Sequence, residues 1–181
     1  QTVTVTGVSD ADATTELVTI SHTVAGSDYA AVTSADVGAT VTDNDAVGVT
    51  NSSASITLDE ASTGTYTAVL DTQPTGDVTI TPQSSDTAAA TVSTVMTFTT
   101  ANWDTPQTVT VTGVDDLDAT NELVTISHTI AGSDYAGVSS ADFIATVTDN
   151  DTAGVTNSSA TTSLTEATTG TYTVVLSTQP T

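Results

Sequence analysis

Residues 1–75 return as residues 107–181 at a constant offset of 106, with no insertion, and about three-quarters of the paired positions are identical. QTVTVTGV at Gln1 recurs at Gln107, ELVTISHT at Glu16 recurs at Glu122, and ATVTDND at Ala39 recurs at Ala145. Whatever these residues fold into must therefore be a unit that can follow itself along the chain. Solenoid units run to roughly 20–50 residues, so this period is too long for one. It matches the size of a whole domain. The expectation is a tandem array of domains.

Inside each copy the pattern has period two. Val109, Val111 and Gly113 interleave with Thr110 and Thr112, and Val124, Ile126, His128 and Ile130 interleave with Thr125, Ser127 and Thr129. β-Branched threonine and valine favour a pleated strand. No stretch carries a 3.6-residue apolar period. Short strands between Gly, Asp, Asn and Pro clusters predict an all-β sandwich of immunoglobulin-like size. The predicted strands are A at 55–59, B at 64–71, C at 77–84, D at 95–99, E at 107–114, F at 123–130 and G at 143–148. One complete repeat then spans 46–151. Residues 1–45 would carry strands E to G of a preceding repeat, and 152–181 strands A and B of a following one.

Charge bounds the function. The chain has 22 acidic residues and no lysine or arginine, for a net charge of −22. Ion pairs could come only from His22 and His128. Such a chain repels itself and calls for positive charge from outside, a metal cation or a basic partner surface. Nucleic acid and anionic membranes are disfavoured, because phosphate recognition needs basic side chains. There is no cysteine, hence neither disulfide nor thiolate site. No apolar run approaches the roughly 18 residues of a membrane helix. The sequence opens inside a repeat, so a missing signal peptide places no bound on localisation.

Strand direction decides where the acids gather. With alternating strands, the A–B, C–D and E–F loops and the end of strand G share one pole. That pole receives Glu60, Asp86, Asp115, Asp116, Asp118, Glu122, Asp149 and Asp151, with Asn150 between the last two. Their counterparts include Asp10, Asp12, Glu16, Asp43, Asp45 and Glu166. Crowded carboxylates oppose one another's ionisation, and Ca2+ takes 6–8 oxygen ligands, often several carboxylates. The convergence predicts a calcium cluster at the domain junction. Each acid taken singly also suits a solvated turn. Asp28, Asp36, Asp134 and Asp142 fall at the opposite pole and read as turn residues.

These motifs resemble the Calx-beta family and its bacterial relatives in large surface proteins. The likeness rests on a Glu after strand A (LDEASTGTYTAVL), a strand carrying MTF, an acidic segment before strand F (VDDLDATNELVTI) and a closing acidic triplet (VTDND). It implies an immunoglobulin-like sandwich that binds calcium at its distal loops, through Glu60, Asp86, Asp115, Asp116, Glu122, Asp149 and Asp151. The chain departs from the family where Asn150 occupies the middle of the triplet and where Glu122 stands farther from the Asp pair. Bacterial tandem versions resemble stalks of adhesins, matrix proteins and surface layers.

The remaining residues read as structure. His22 and His128 share one strand-F position, on or beside the core face. Trp103 is expected to plug one pole. Tyr66 and Tyr172 read as packing, and Tyr29 and Tyr135 as partly exposed loop residues. Asn51-Ser-Ser, Asn157-Ser-Ser and Asn150-Asp-Thr match a glycosylation pattern that is usually accidental in a bacterial protein. No catalytic constellation or cofactor motif appears, so no enzyme is expected. The sequence reads as part of a secreted or cell-surface protein whose repeats form a calcium-stiffened spacer, fibre or lattice, partnered by neighbouring repeats or by self-assembly. The alternative is a multivalent adhesive module that binds glycan or protein through exposed loops near Tyr135 and Trp103.

Overall fold

The computed structural model describes residues 1–181. It is all-β, with thirteen strands, one 3-10 turn at Ser133–Tyr135 and no α-helix. Two strands lie in the N-terminal part, β1 (Glu16–Ile20) and β2 (Val37–Val41), paired antiparallel. Nine follow: β3 (Val49–Asn51), β4 (Ser55–Asp59), β5 (Thr63–Leu70), β6 (Val78–Ser84), β7 (Ala90–Val92), β8 (Met96–Phe98), β9 (Gln107–Gly113), β10 (Glu122–Ala131) and β11 (Phe143–Thr148). The last two, β12 (Val155–Asn157) and β13 (Val174–Leu176), form a second small antiparallel pair.

The nine central strands make two sheets. One has the order β3-β5-β9-β7, the other β4-β11-β10-β6-β8. All pairs are antiparallel except β4 with β11, which run parallel from Ser55↔Ile144 to Asp59↔Thr148. Period two puts one face of each strand inward. Tyr66, Ala68 and Leu70 of β5 and Val109 and Val111 of β9 meet Val78 and Ile80 of β6, Val124 and Ile126 of β10, and Phe143, Ala145 and Val147 of β11. The result is a β-sandwich with a core of 19 buried apolar residues.

Two polar ties fasten the sheets. Tyr66 stacks on Phe143, with ring centroids 3.9 Å apart. Its hydroxyl meets Nε2 of half-buried His128 at 2.6 Å, so this histidine is a structural strut. Tyr135 is fully buried. Its hydroxyl accepts the Thr72 N–H at 3.0 Å and donates to the Thr72 carbonyl at 2.9 Å. The expectation of a partly exposed Tyr135 is overturned, because the turn after β10 folds its ring inward. Trp103 is partly buried against the core, and its carbonyl accepts the Leu70 N–H at 3.3 Å.

Three further details differ from the sequence reading. β3 and β7 are additional three-residue strands, too short to show alternation. Residues 1–8 form no strand, although strand E was expected there, and 161–165 form no strand where strand A was expected. In the central unit the equivalent strands are β9, which pairs with β5 and β7, and β4, which pairs with β11. Neither end segment has such a partner within the chain.

Candidate metal centre

Glu60 follows β4, Asp116 and Asp118 lie between β9 and β10, Glu122 opens β10, and Asp149 follows β11. The parallel pairing of β4 and β11 brings two of these ends together. The Glu60 N–H donates to the Thr148 carbonyl at 3.1 Å. Gly113 lets the first loop approach β9: a Cβ there would sit 2.8 Å from the Asp59 carbonyl oxygen and 3.3 Å from the Glu60 Cα.

The carboxylates form two overlapping groups, Glu60–Asp116–Glu122 and Asp116–Asp118–Asp149, whose ligand atoms lie within 4.8 Å of one another. Asp116 belongs to both. The local backbone aims them. Asp116 Oδ1 accepts the Asp118 N–H at 2.9 Å, Asp118 Oδ1 accepts the Thr120 N–H at 2.8 Å, and Asp149 Oδ1 accepts the Asp151 N–H at 2.6 Å. Each is an Asx turn, which occupies one oxygen and leaves the other. Oδ2 of Asp149 and Oε2 of Glu122 are buried with no hydrogen-bond partner.

Glu60 is the most enclosed member, 5% exposed. It accepts from the backbone N–H groups of Asp116 at 3.3 Å and Asn150 at 3.5 Å. Burial pushes its carboxyl above the ordinary 4.5, the two N–H groups oppose that, and Asp149 and Asp116 add to it. Burial also raises Glu122, helped by Asp116, Asp118, Glu60 and Asp149. An ion-free cluster therefore resists its own ionisation. Buried orphan oxygens cost on the order of 1–3 kcal/mol each, and no lysine or arginine exists to meet them.

The other expected residues lie apart from these two groups. Asp115 is exposed at the rim, where Oδ1 accepts from Asn150 Nδ2 at 3.2 Å. Asp151 is exposed and supplies its backbone N–H to Asp149. Asp86 is exposed, and its Oδ1 caps its own turn through the Ala88 N–H at 2.9 Å. A second group, Asp10–Asp12–Glu16–Asp43, forms in the N-terminal part, also within 4.8 Å. It repeats the Asx turns: Asp10 Oδ1 to Asp12 N–H, Asp12 Oδ1 to Thr14 N–H, and Asp43 Oδ1 to Asp45 N–H. Asp45 and Glu166 are exposed and outside it. Sequence reasoning did not anticipate Gly113 or Asn121, whose Oδ1 accepts the Asp149 N–H at 2.8 Å.

No family model matches the chain, and no curated protein matches it in sequence. Among solved structures it is similar to WR4, a C. elegans MSP family member, at 9% identity and a TM-score of 0.35, over 56% of this chain and 96% of that one. A likeness at that level says nothing further about this chain. No helix is long and apolar enough to cross a membrane.

Proposed function

We propose that this chain is part of a secreted or cell-surface protein in which tandem immunoglobulin-like domains of Calx-beta type form an extended spacer, fibre or lattice. In this reading calcium binds between the loops at one pole of each domain and stiffens the junction. Glu60, Asp116, Asp118, Glu122 and Asp149 hold the ion in the central repeat, and Asp10, Asp12, Glu16 and Asp43 in the preceding one. A hard dication supplies the charge the chain lacks and ligates oxygens that no protein donor reaches.

The observation that carries this reading is the pair of orphaned buried oxygens, Glu122 Oε2 and Asp149 Oδ2, inside a carboxylate cluster with no cationic side chain. Ca2+ accommodates irregular sets of oxygens. Mg2+ demands near-ideal octahedral geometry and gives up water reluctantly. The test is calorimetric titration of the full chain with each ion, alongside thermal unfolding in EDTA and in millimolar salt of each. Heat of binding and a raised melting temperature with calcium are expected. Equal, negligible responses to both ions would sink the proposal and leave the acids as solvated loops.

A further inference from the structure

The acidic loop that carries the cluster also touches the next repeat, and it does so twice in the same way. The Gln73 N–H donates to the Ala11 carbonyl at 2.7 Å, and the Gln179 N–H donates to the Leu117 carbonyl at 2.6 Å. Donors and acceptors are each offset by 106, the period of the sequence. Ala11 stands between Asp10 and Asp12, and Leu117 between Asp116 and Asp118. In each case the acceptor carbonyl lies inside the Asx turn that links two cluster carboxylates.

The donor side is anchored just as firmly. Next to Gln73, Thr72 is held through both its N–H and carbonyl by the Tyr135 hydroxyl. Thr75 donates its N–H to Asp134 Oδ1 at 3.0 Å, and Gln73 Nε2 donates to the Thr100 carbonyl at 2.7 Å. The incoming linker is pinned as well: the Gly48 carbonyl accepts the Asp71 N–H at 2.9 Å, and Gly154 accepts Ser177 in the same way at 2.8 Å. A continuous path thus runs from the Asp10–Asp12 carboxylates through Ala11, Gln73, Thr72 and Tyr135 into the core of the central sandwich.

We propose that the turn after β5 in one repeat is the dedicated docking partner of the acidic loop of the repeat before it, and that cation loading and docking are thermodynamically linked. The linkage rests on the calcium reading above; the contact itself does not. Ligating Asp10 and Asp12 fixes the Ala11 peptide and presents its carbonyl to Gln73. By reciprocity, docking raises the affinity of the loop for the ion by the same factor. Orientation between repeats would then be set domain by domain at one repeated contact.

The test is amide hydrogen exchange on the full chain, in EDTA and in millimolar calcium, with calcium titrated calorimetrically on the same sample. Exchange at Gln73 and Gln179 should slow on adding calcium by about 5–150-fold, the usual span of coupled sites. Gln73→Pro, which removes the donor, should weaken calcium binding at the first cluster by a similar factor. Gln73→Ala keeps the backbone N–H and loses only the side-chain anchor on Thr100, so it should weaken binding less than Gln73→Pro does. If calcium binds while both amides exchange at unchanged rates, the linkage is overturned and the calcium reading stands. If calcium does not bind at all, both fall. The wild-type exchange rates decide the matter even if Gln73→Pro fails to fold.

Discussion

Asp116→Asn should stabilise the protein without calcium and blunt the stabilisation that calcium brings. Asparagine keeps the shape and the Oδ1 that accepts the Asp118 N–H at 2.9 Å, so the loop retains its turn and loses only the charge. Asp116 shares one group with Glu60 and Glu122 and the other with Asp118 and Asp149, at ligand-atom separations up to 4.8 Å. Two unit charges at that distance repel by about 0.9 kcal/mol in a water-like medium and about 3.5 kcal/mol at an effective permittivity near 20. Asp116 is partly exposed, and salt screens such pairs over ~8–10 Å. The lower figure, summed over four neighbours and discounted for screening, gives a gain of about 1–3 kcal/mol in EDTA. Calcium offsets that gain. A site with a dissociation constant of about 0.1–1 mM, usual for extracellular modules, stabilises the wild type by about 1.4–2.7 kcal/mol at roughly 10 mM ion. The variant forfeits most of that. Thermal unfolding followed by circular dichroism reads both, at about 4–8 °C per kcal/mol for a unit of this size. A variant that is less stable than wild type in EDTA, or that gains as much from calcium, would refute the reasoning.

Gly113→Ala should lower stability by about 1–3 kcal/mol, as overpacking does, and weaken calcium binding, because its Cβ would push on Asp59 and Glu60; unchanged calorimetric affinity would separate the loop position from the site. Tyr135→Phe leaves the buried Thr72 N–H and carbonyl without their shared partner and should cost about 1–3 kcal/mol in urea unfolding, an effect absent if water replaces the hydroxyl. Without calcium, pH acts through two opposing slopes. Glu60 and Glu122 lie above the ordinary 4.5 in the fold, so the native state holds protons the unfolded chain has released, and stability should fall as pH rises through and beyond 4.5. Burial holds His128 below 6.5, so its contribution is present above 6.5 and is lost as pH drops below it. Glu122→Gln should flatten the first slope in EDTA, and identical pH profiles for variant and wild type would contradict the assignment.

Much of this was legible in the residues because it is local or follows from direction alone. Val109, Val111, Val124 and Ile126 alternate with threonine and serine, and the strands formed there with edges within a residue or so of expectation. Antiparallel succession sent the loops holding Glu60, Asp116, Asp118, Glu122 and Asp149 to one pole, and they do meet. Asp86 and Glu166 are acidic too but stand elsewhere: Asp86 caps its own turn, and Glu166 is exposed and joins none of the carboxylate groups. Nothing in the pattern marked Tyr135 as buried, because a loop tyrosine is placed by what folds over it. Nor could it mark Ala11 and Leu117 as acceptors, since any residue offers a carbonyl.

QTVTVTG occurs at 1–7 and again at 107–113, letter for letter. The second copy is a core strand in which Val109 and Val111 are fully buried; the first is no strand, and Val3 and Val5 are 70% and 54% exposed. By itself the sequence determined the period, the alternation, the absence of cationic partners and the identity of the acids, all of which are properties of single residues or near neighbours. Only the tertiary structure decided which copies of those patterns became strands, which carboxyl oxygens were left without donors, and which carbonyls face the next repeat. The physical reason is that a strand satisfies its backbone N–H and C=O groups on other strands. A sheet residue therefore acquires its structure from partners tens of residues away, and the same seven letters fold only where β5 and β7 are there to receive them.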